Sequence, residues 1–410
     1  MRSWPQVYLP PPPKGLNHKP LSLFDSYSKT KKEISEENIS SYVCGITPYD
    51  ATHLGHAATY LSFDLIHRYL LACGKKLYFV ENITDIDDPL LERAARDNQD
   101  WKELALSQID LFRTDMTTLR VIPPSHYEGV VESMEIIIDS IQEYISADLT
   151  YKIEDDIYLQ LDKVSGFPEN LPFTFDAALN IFAERGGDPN RVGKINPLDP
   201  LLWRGYRRGE PSWEAPFGAG RPGWHVECVA IALAFLPKNS LSSITLQGGG
   251  SDLVFPHHYM TAIQSKALTR MEFAAHYVHA GMIGLDGEKM SKSKGNLIFV
   301  SKLLESGVRP EAIRIALFLD HYQSDRMWSG DLLIRAQNLL AKLDQALAMM
   351  EVAPTFPVIS MIAEALADNL DTPKVLQLIE LWCDETLSGS NGGSAGEMSR
   401  ALDTYLGIAL

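Results

Sequence analysis

Two histidines, His53 and His56, flank Leu54 and Gly55 at the head of an apolar run. On a helix that spacing puts both imidazoles on one face. Gly55 lets a ligand approach the backbone. A helix N-terminus attracts anions through its free N–H groups and its dipole. The combination reads as a phosphate cradle with two extra donors; a surface histidine pair or a metal pair are the competing readings. Far downstream stands Lys289-Met290-Ser291-Lys292-Ser293-Lys294-Gly295-Asn296. Its lysines suit the charge that develops on a leaving pyrophosphate. A solvated basic loop is the plainer reading of that segment taken alone.

A third set is metal-like. Cys44 precedes the histidine motif, and Gly223-Trp224-His225-Val226-Glu227-Cys228 and Phe255-Pro256-His257-His258 come later. Thiolate and imidazole are the ligands of zinc-type sites. A lone cysteine is more often a small buried hydrophobe, so the three segments count only if the fold unites them.

These residues need elements to hold them. Residues 41–46 read as a buried strand, and an apolar helical run with Leu61, Leu65, Tyr69 and Leu70 follows the histidines. Gly74 ends that helix, and residues 75–84, rich in aromatic and β-branched types, form the next strand. Strand, helix, strand is a βαβ unit and predicts a parallel sheet. Helical spacing continues through 91–119 and 127–145, with short strand-like pieces near 155–161. Residues 182–202, rich in Gly, Pro and Asp, read as loop. From 301 onward helical spacing dominates, interrupted by a Gly/Ser loop at 388–396. The proline run Pro10 to Pro13 marks an extended N-terminal arm.

The composition narrows the function class. With 45% hydrophobic and 22% charged residues, the 410-residue chain is globular and long enough for two or three packed units. No run approaches the roughly 20 apolar residues of a membrane span. The N-terminus lacks the apolar core of a secretory signal, so the expected location is cytoplasmic. A net charge of −16 argues against a large nucleic-acid footprint. Four cysteines in such a chain do not make a disulfide framework.

The histidine and lysine segments, in that order on a βαβ pattern, resemble the two signatures of class I aminoacyl-tRNA synthetases. The resemblance implies an α/β fold: a Rossmann catalytic domain with an inserted α/β connective region and a C-terminal helical bundle. The expected divisions are an arm at 1–22, first catalytic half at 23–118, insertion at 119–200, second half at 201–300 and bundle at 301–410. It further implies ATP as substrate with Mg²⁺, and an aminoacyl-adenylate intermediate. His53 and His56 would hold the phosphates, and Lys289 and Lys292 would stabilise pyrophosphate loss.

The metal-like segments resemble the zinc site of cysteinyl-tRNA synthetases. The resemblance gives Cys44, Cys228 and His257 as ligands of one Zn²⁺, with His225 and His258 as competitors. Three protein ligands leave one position for a substrate thiolate. That family usually carries a Glu four residues after the ligand histidine, where this chain has Thr261. By the same resemblance Cys44, Gly45, Ile46, Thr47, Thr59, Asn82, Ile83, Thr84, Trp224, Gly250, Ser251, Asp252 and Ile283 line an adenylate pocket.

Glu184-Arg185-Gly186-Gly187-Asp188-Pro189 is similar to a sequence of the mycothiol-pathway cysteine ligases, paralogues of cysteinyl-tRNA synthetases. Members of that family join L-cysteine to the amine of glucosaminyl-inositol. The chain also ends where an anticodon-recognising domain would be expected to follow. The expectation is therefore an ATP-dependent, AMP-forming cysteine:glucosaminyl-inositol ligase, with cysteinyl-tRNA synthetase as the alternative. Asp252 is the candidate base toward the amine. A monomer with no stable nucleic-acid partner and no membrane contact is expected. Replacing Lys292 by Ala should lower ATP–pyrophosphate exchange sharply; unchanged exchange would remove the assignment.

Overall fold

The computed structural model describes residues 1–239, 241–285, 287–290 and 296–410, with Lys289 as backbone only. A hairpin of β1 (Ser22–Asp25) and β2 (Thr30–Glu33) precedes β3 (Asn38–Val43), α1 (Leu54–Ala72) and β4 (Lys76–Ile83). α2 (Asp88–Asp97), α3 (Trp101–Thr118) and β5 (His126–Gly129) complete the first half. Then come α4 (Met134–Ser146), β6 (Thr150–Ile153), β7 (Asp156–Leu159), α5 (Phe175–Glu184), β8 (Leu201–Gly205) and β9 (Gly220–Pro222). α6 (Trp224–Phe235), β10 (Ser242–Gly250), α7 (Tyr259–Thr269) and β11 (Glu272–Ala280) return to the first layer. β12 (Ile283–Leu285), β13 (Glu288–Lys289), α8 (Val300–Glu305), α9 (Pro310–Phe318) and β14 (Arg326–Trp328) lead to the bundle. Its helices are α10 (Gly330–Leu347), α11 (Phe356–Ala367), α12 (Thr372–Leu387) and α13 (Ala395–Leu406).

The main sheet has the order β11-β10-β3-β4-β5, with every pair parallel. Side chains alternate between its faces. Ile39 and Val43 of β3 join the core beside α1 and the bundle, while Tyr42 joins the core beside α6 and α7. Both faces are covered, as a parallel sheet requires. Winding proceeds outward from β3 to β5, then restarts on the other side at β10. The order therefore reverses between β3 and β10, and a crevice opens beyond their carboxyl ends.

Sequence and structure part at several places. The stretch 91–119 is two helices, because Asn98 takes a left-handed conformation (φ 50°) and Asp100 caps α3. The stretch 127–145 holds β5 and only then α4, which starts at Met134. A four-residue strand is too short to show a period. The stretch 182–202 includes the end of α5 and the start of β8. The main sheet takes in β5, which lies inside the segment 119–200 expected as an insertion. An antiparallel sheet, β6-β7-β8-β9, runs past 200 to Pro222. The N-terminal arm is clamped: Trp4 is buried against Phe112 and Tyr127, and its indole N–H donates to the Val121 carbonyl at 2.8 Å.

One polar cluster ties α1 to the bundle. Asp64, Arg68 and Arg314 are all sealed from solvent. Asp64 accepts from Arg68 Nε at 2.7 Å, Arg314 Nη2 at 2.5 Å and the Ile122 N–H at 2.8 Å. The remaining guanidinium donors reach the carbonyls of Leu119, Arg120, Asp403 and Leu406. α13 ends in Gly407 at φ +65°, where a side-chain carbon would lie 2.5 Å from Arg314 Nη2. Burial pushes the Asp64 carboxyl up, but Arg68 and Arg314 outweigh it and hold the pKa below its usual value. Asp64→Ala leaves two buried guanidinium groups short of a counter-charge, so unfolding by urea should show a loss of about 3–5 kcal/mol. A carboxyl whose folded pKa is depressed stabilises above its unfolded pKa. The Asp64 contribution should therefore fade as pH falls through the acid range in the parent and be missing from the variant.

Candidate active site and metal centre

The crevice is built where only glycine fits. A side-chain carbon on Gly45, just past β3, would fall 1.6 Å from the Asn82 carbonyl oxygen. On Gly248 it would meet the Phe63 ring of α1 at 2.2 Å. The two strand ends consequently pack close, and Cys44 N–H donates to the Gly248 carbonyl at 3.1 Å. Asn82 accepts from the Gly45 N–H at 3.0 Å and donates to the Thr84 hydroxyl, while the Thr84 N–H reaches the Ile46 carbonyl at 3.0 Å. The expected pocket residues Gly45, Ile46, Asn82, Ile83 and Thr84 thus form one braced unit at the ends of β3 and β4. Thr47 continues it, its carbonyl accepting from the Tyr49 N–H at 2.9 Å.

α1 opens on this unit. His53 is its N-cap, with extended backbone, and its Nδ1 accepts from the Gly55 N–H at 3.1 Å. The His53 and His56 rings stack with centroids 3.8 Å apart. Thr59, one turn on, donates to the Gly55 carbonyl at 3.2 Å. The α1 dipole puts its positive end here, a setting that favours an anion. Lys292 lies outside the described residues, as does the side chain of Lys289. The flank beyond them is described: Leu54 N–H donates to the Ile298 carbonyl at 2.9 Å and Val300 N–H to the Thr52 carbonyl at 3.1 Å. That pairing brings the downstream end of the lysine segment to the start of the histidine motif. Ile283 sits in β12, buried in the same core as Leu54 and Ala58.

Across the crevice, β10 ends in Gly248, Gly249 and Gly250, followed by a single helical turn, Ser251–Leu253. A side-chain carbon on Gly250 would lie 2.7 Å from Asp252 Oδ1 and 3.9 Å from Thr59 Oγ1, so these three residues meet. Asp252 also pairs with Arg185 of the inserted block at 3.6 Å. Helix geometry then breaks at Phe255 (φ −144°, ψ 138°) before resuming, and His257 and His258 lead into α7.

Of the expected ligands, Cys44 and His257 fall in one compact group, whose third member is the competitor His258 rather than Cys228. Cys44 Sγ and one nitrogen each of His257 and His258 lie within 4.8 Å of one another, all buried. Cys228, on α6, approaches His257 Nε2 at 3.3 Å. Cys44 approaches His258 Nε2 at 3.2 Å. Each histidine is held from behind: His257 Nδ1 by His225 Nδ1 at 2.9 Å, His258 Nδ1 by His279 Nε2 at 2.7 Å. Trp224 stacks on the His257 ring at 4.3 Å. Outer hydrogen bonds of this kind orient the rings of a metal site. Thr261 offers no ligand, because its buried hydroxyl donates to the His257 carbonyl at 2.7 Å.

Electrostatics favours ligation. Burial lowers the pKa values of His225 and His258 well below the ordinary one and brings His279 down to about 3, so these rings are neutral lone-pair donors. Hydrogen bonding from Cys44, then from His257 and Tyr42, holds the Cys228 thiol below its usual range despite burial. Burial pushes Cys44 up. Glu227 and Asp87 stand close by; burial raises both, Asp87 to about 6. The second histidine rank was not foreseen as such: His279 lies on β11, and nothing in its spacing points to His258. Nor does spacing reveal the Arg185–Asp252 pair, one at the end of α5 and the other in the turn after β10.

Residues 30–338 match the family described as tRNA synthetases class I (C) catalytic domain. Among solved structures, methionyl-tRNA synthetase of Mycobacterium tuberculosis in complex with methionyl-adenylate is similar in fold, with a TM-score of 0.62 at 15% identity. The match covers 91% of this chain and 89% of that one. A leucyl-tRNA synthetase of Agrobacterium radiobacter gives 0.61 at 11% identity, covering 91% of this chain and 84% of that one. Curated relatives are much nearer. Proteins of Gordonia bronchialis (47% identical) and Nakamurella multipartita (49%) align over 100% of both chains. Both are named L-cysteine:1D-myo-inositol 2-amino-2-deoxy-alpha-D-glucopyranoside ligase. With matches of that length and identity, the chain belongs to this ligase family, a branch of the class I tRNA-synthetase fold.

Proposed function

We propose that this protein is an ATP-dependent ligase that activates L-cysteine as cysteinyl-AMP and transfers it to the amine of glucosaminyl-inositol. The observation that carries the reading is a thiol-and-imidazole cluster set beside a helix N-terminus at the reversal point of the sheet. One half of that crevice suits a thiol substrate and the other suits phosphates. The relatives' names supply the two substrates.

The reaction has two steps. A cysteine carboxylate oxygen attacks the α-phosphorus of ATP, the bond to the β-phosphate oxygen breaks, and pyrophosphate leaves. The amine nitrogen then attacks the acyl carbon, loses a proton, and AMP departs with the electron pair of the broken acyl–oxygen bond. His53 and His56, at the positive end of the α1 dipole, would hold the phosphates; Lys289 and Lys292 would meet the charge on the departing pyrophosphate, and Mg²⁺, when bound, would add counter-charge. The backbone of Gly45 to Thr47, Gly250 and Ser251 lets the adenylate lie close, and Asp252 takes the amine proton. We place the reaction in the cytoplasm, where ATP and reduced thiols occur together, and take the acting form to be the monomer.

Two thiols with neutral imidazoles are the donor set zinc prefers. Cys44, Cys228 and His257 would hold the ion, with His258 alongside. Bound there, zinc would supply a thiophilic position that favours a cysteine thiolate over a serine hydroxyl. Cys228→Ser should lower the zinc content of the purified protein well below the parent's. An equal content in parent and variant would exclude Cys228 as a ligand.

The function itself is tested by product mass. Incubation with cysteine, ATP and glucosaminyl-inositol should give the cysteinyl amide, AMP and pyrophosphate. Charging of tRNA with cysteine and no amide with the amino sugar would assign the chain to the synthetases instead.

A further inference from the structure

The loop after α5 is built to hold one cation in place. Asp188 accepts from Tyr158 Oη at 2.5 Å and from Lys194 Nζ at 2.8 Å. The Lys194 ammonium is nearly sealed and sits over the rings of Phe182 and Tyr158, at 5.0 and 5.1 Å. Gly187 N–H donates to the Phe182 carbonyl at 2.8 Å, and a side-chain carbon on Gly187 would lie 2.5 Å from the Phe182 ring. Gly186 turns the chain at φ +85°. Arg185, the last residue before this turn, is thereby fixed at the end of α5. α5 itself packs on the Val254–His258 segment that carries the metal-type histidines.

The Arg185 guanidinium lies 3.6 Å from an Asp252 carboxylate oxygen, and both side chains are about one-third exposed (34% and 31%). A pair that wet contributes little to stability, so stability alone does not account for it. The pair joins the inserted block to the carboxylate beside Gly250 and Thr59. Arg185 carries only donors, and sugar hydroxyls accept; Asp252 only accepts, and hydroxyls and amines donate.

We propose that Arg185 and Asp252 together form the acceptor subsite, and that its ligand is a polyhydroxylated amine. Arg185 donates to hydroxyls of the acceptor and so turns its amine toward the activated acyl group. Asp252 takes hydrogen bonds from the amine side. This rests on the ligase reading above. It gives the inserted block a role in choosing the second substrate, whereas the first is chosen on the catalytic fold.

The test compares Arg185→Ala and Arg185→Lys with the parent in two assays: ATP–pyrophosphate exchange with cysteine, and amide formation over a range of glucosaminyl-inositol. Loss of a charged donor to a hydroxyl is expected to raise the acceptor KM of Arg185→Ala by about tenfold more than it lowers exchange. Arg185→Lys keeps the charge without the fork and should recover part of that loss. A merely structural pair would depress both assays alike, and that result overturns the inference while leaving the ligase reading intact. A parent protein that makes no amide with the amino sugar overturns both.

Discussion

Two arginines and one aspartate sealed in the core decide how the molecule is put together. Asp64, Arg68 and Arg314 cannot reach water, so every donor and acceptor must be met inside. Meeting them requires α1, the end of α3, α9 and the end of α13 to converge on one spot. Removing three charged groups from water is expensive, and such clusters add little net stability over an apolar replacement. What this one adds is a single allowed arrangement. α1 is about 28 Å long at about 1.5 Å per residue. The cluster pins its middle, and its N-terminus is thereby aimed at the crevice. The position of His53 and His56 follows from charges buried several turns away.

The crevice depends on a second constraint, the absence of side chains. Gly45 and Gly248 to Gly250 let strand ends, helix and substrate groups share a narrow space. The sheet order then does the rest. Because winding reverses between β3 and β10, the loops after both strands diverge and leave an opening. Cys44 leaves β3 on one side of it. The turn after β10 delivers Asp252, then His257 and His258, on the other. α6 brings Cys228 from beneath. Three segments far apart in the chain contribute to one cluster: the ends of two adjacent strands and the first turns of α6.

Much of this was legible in the residues. The histidine motif and the lysine segment are ambiguous singly, and their order on a βαβ pattern is what makes the family resemblance readable. The first βαβ unit follows from periodicity, and the cysteine and histidine segments could be grouped before any fold was known. What was hidden has common causes. β5 and the β1–β2 hairpin are four residues long, too short for a pattern. Asp64 and Arg68, four apart, look like a surface pair of a helix, and only packing shows that Arg314 closes over them. His258 and His279 lie on different elements, so their contact is a property of the tertiary structure alone. Thr261 was readable as a departure from a pattern; its hydroxyl bond to the His257 carbonyl was not.

The two substrate choices fall on different parts of the chain, and their physics differs. Thiol selection needs soft donors held dry, and Cys44, Cys228 and His257 are buried donors of that kind. Selection of a hydroxylated amine needs wet, charged groups with room between them. That demand cannot be met inside the same core, because a guanidinium there would have to be paired off as Arg68 and Arg314 are. It is met at the rim, by Asp252 on one side and by Arg185 on the other. α5, which packs on the Val254–His258 segment, carries Arg185 at its end. Chemistry that depends on dryness sits in the catalytic fold; chemistry that depends on exposure is lent by the block inserted into it.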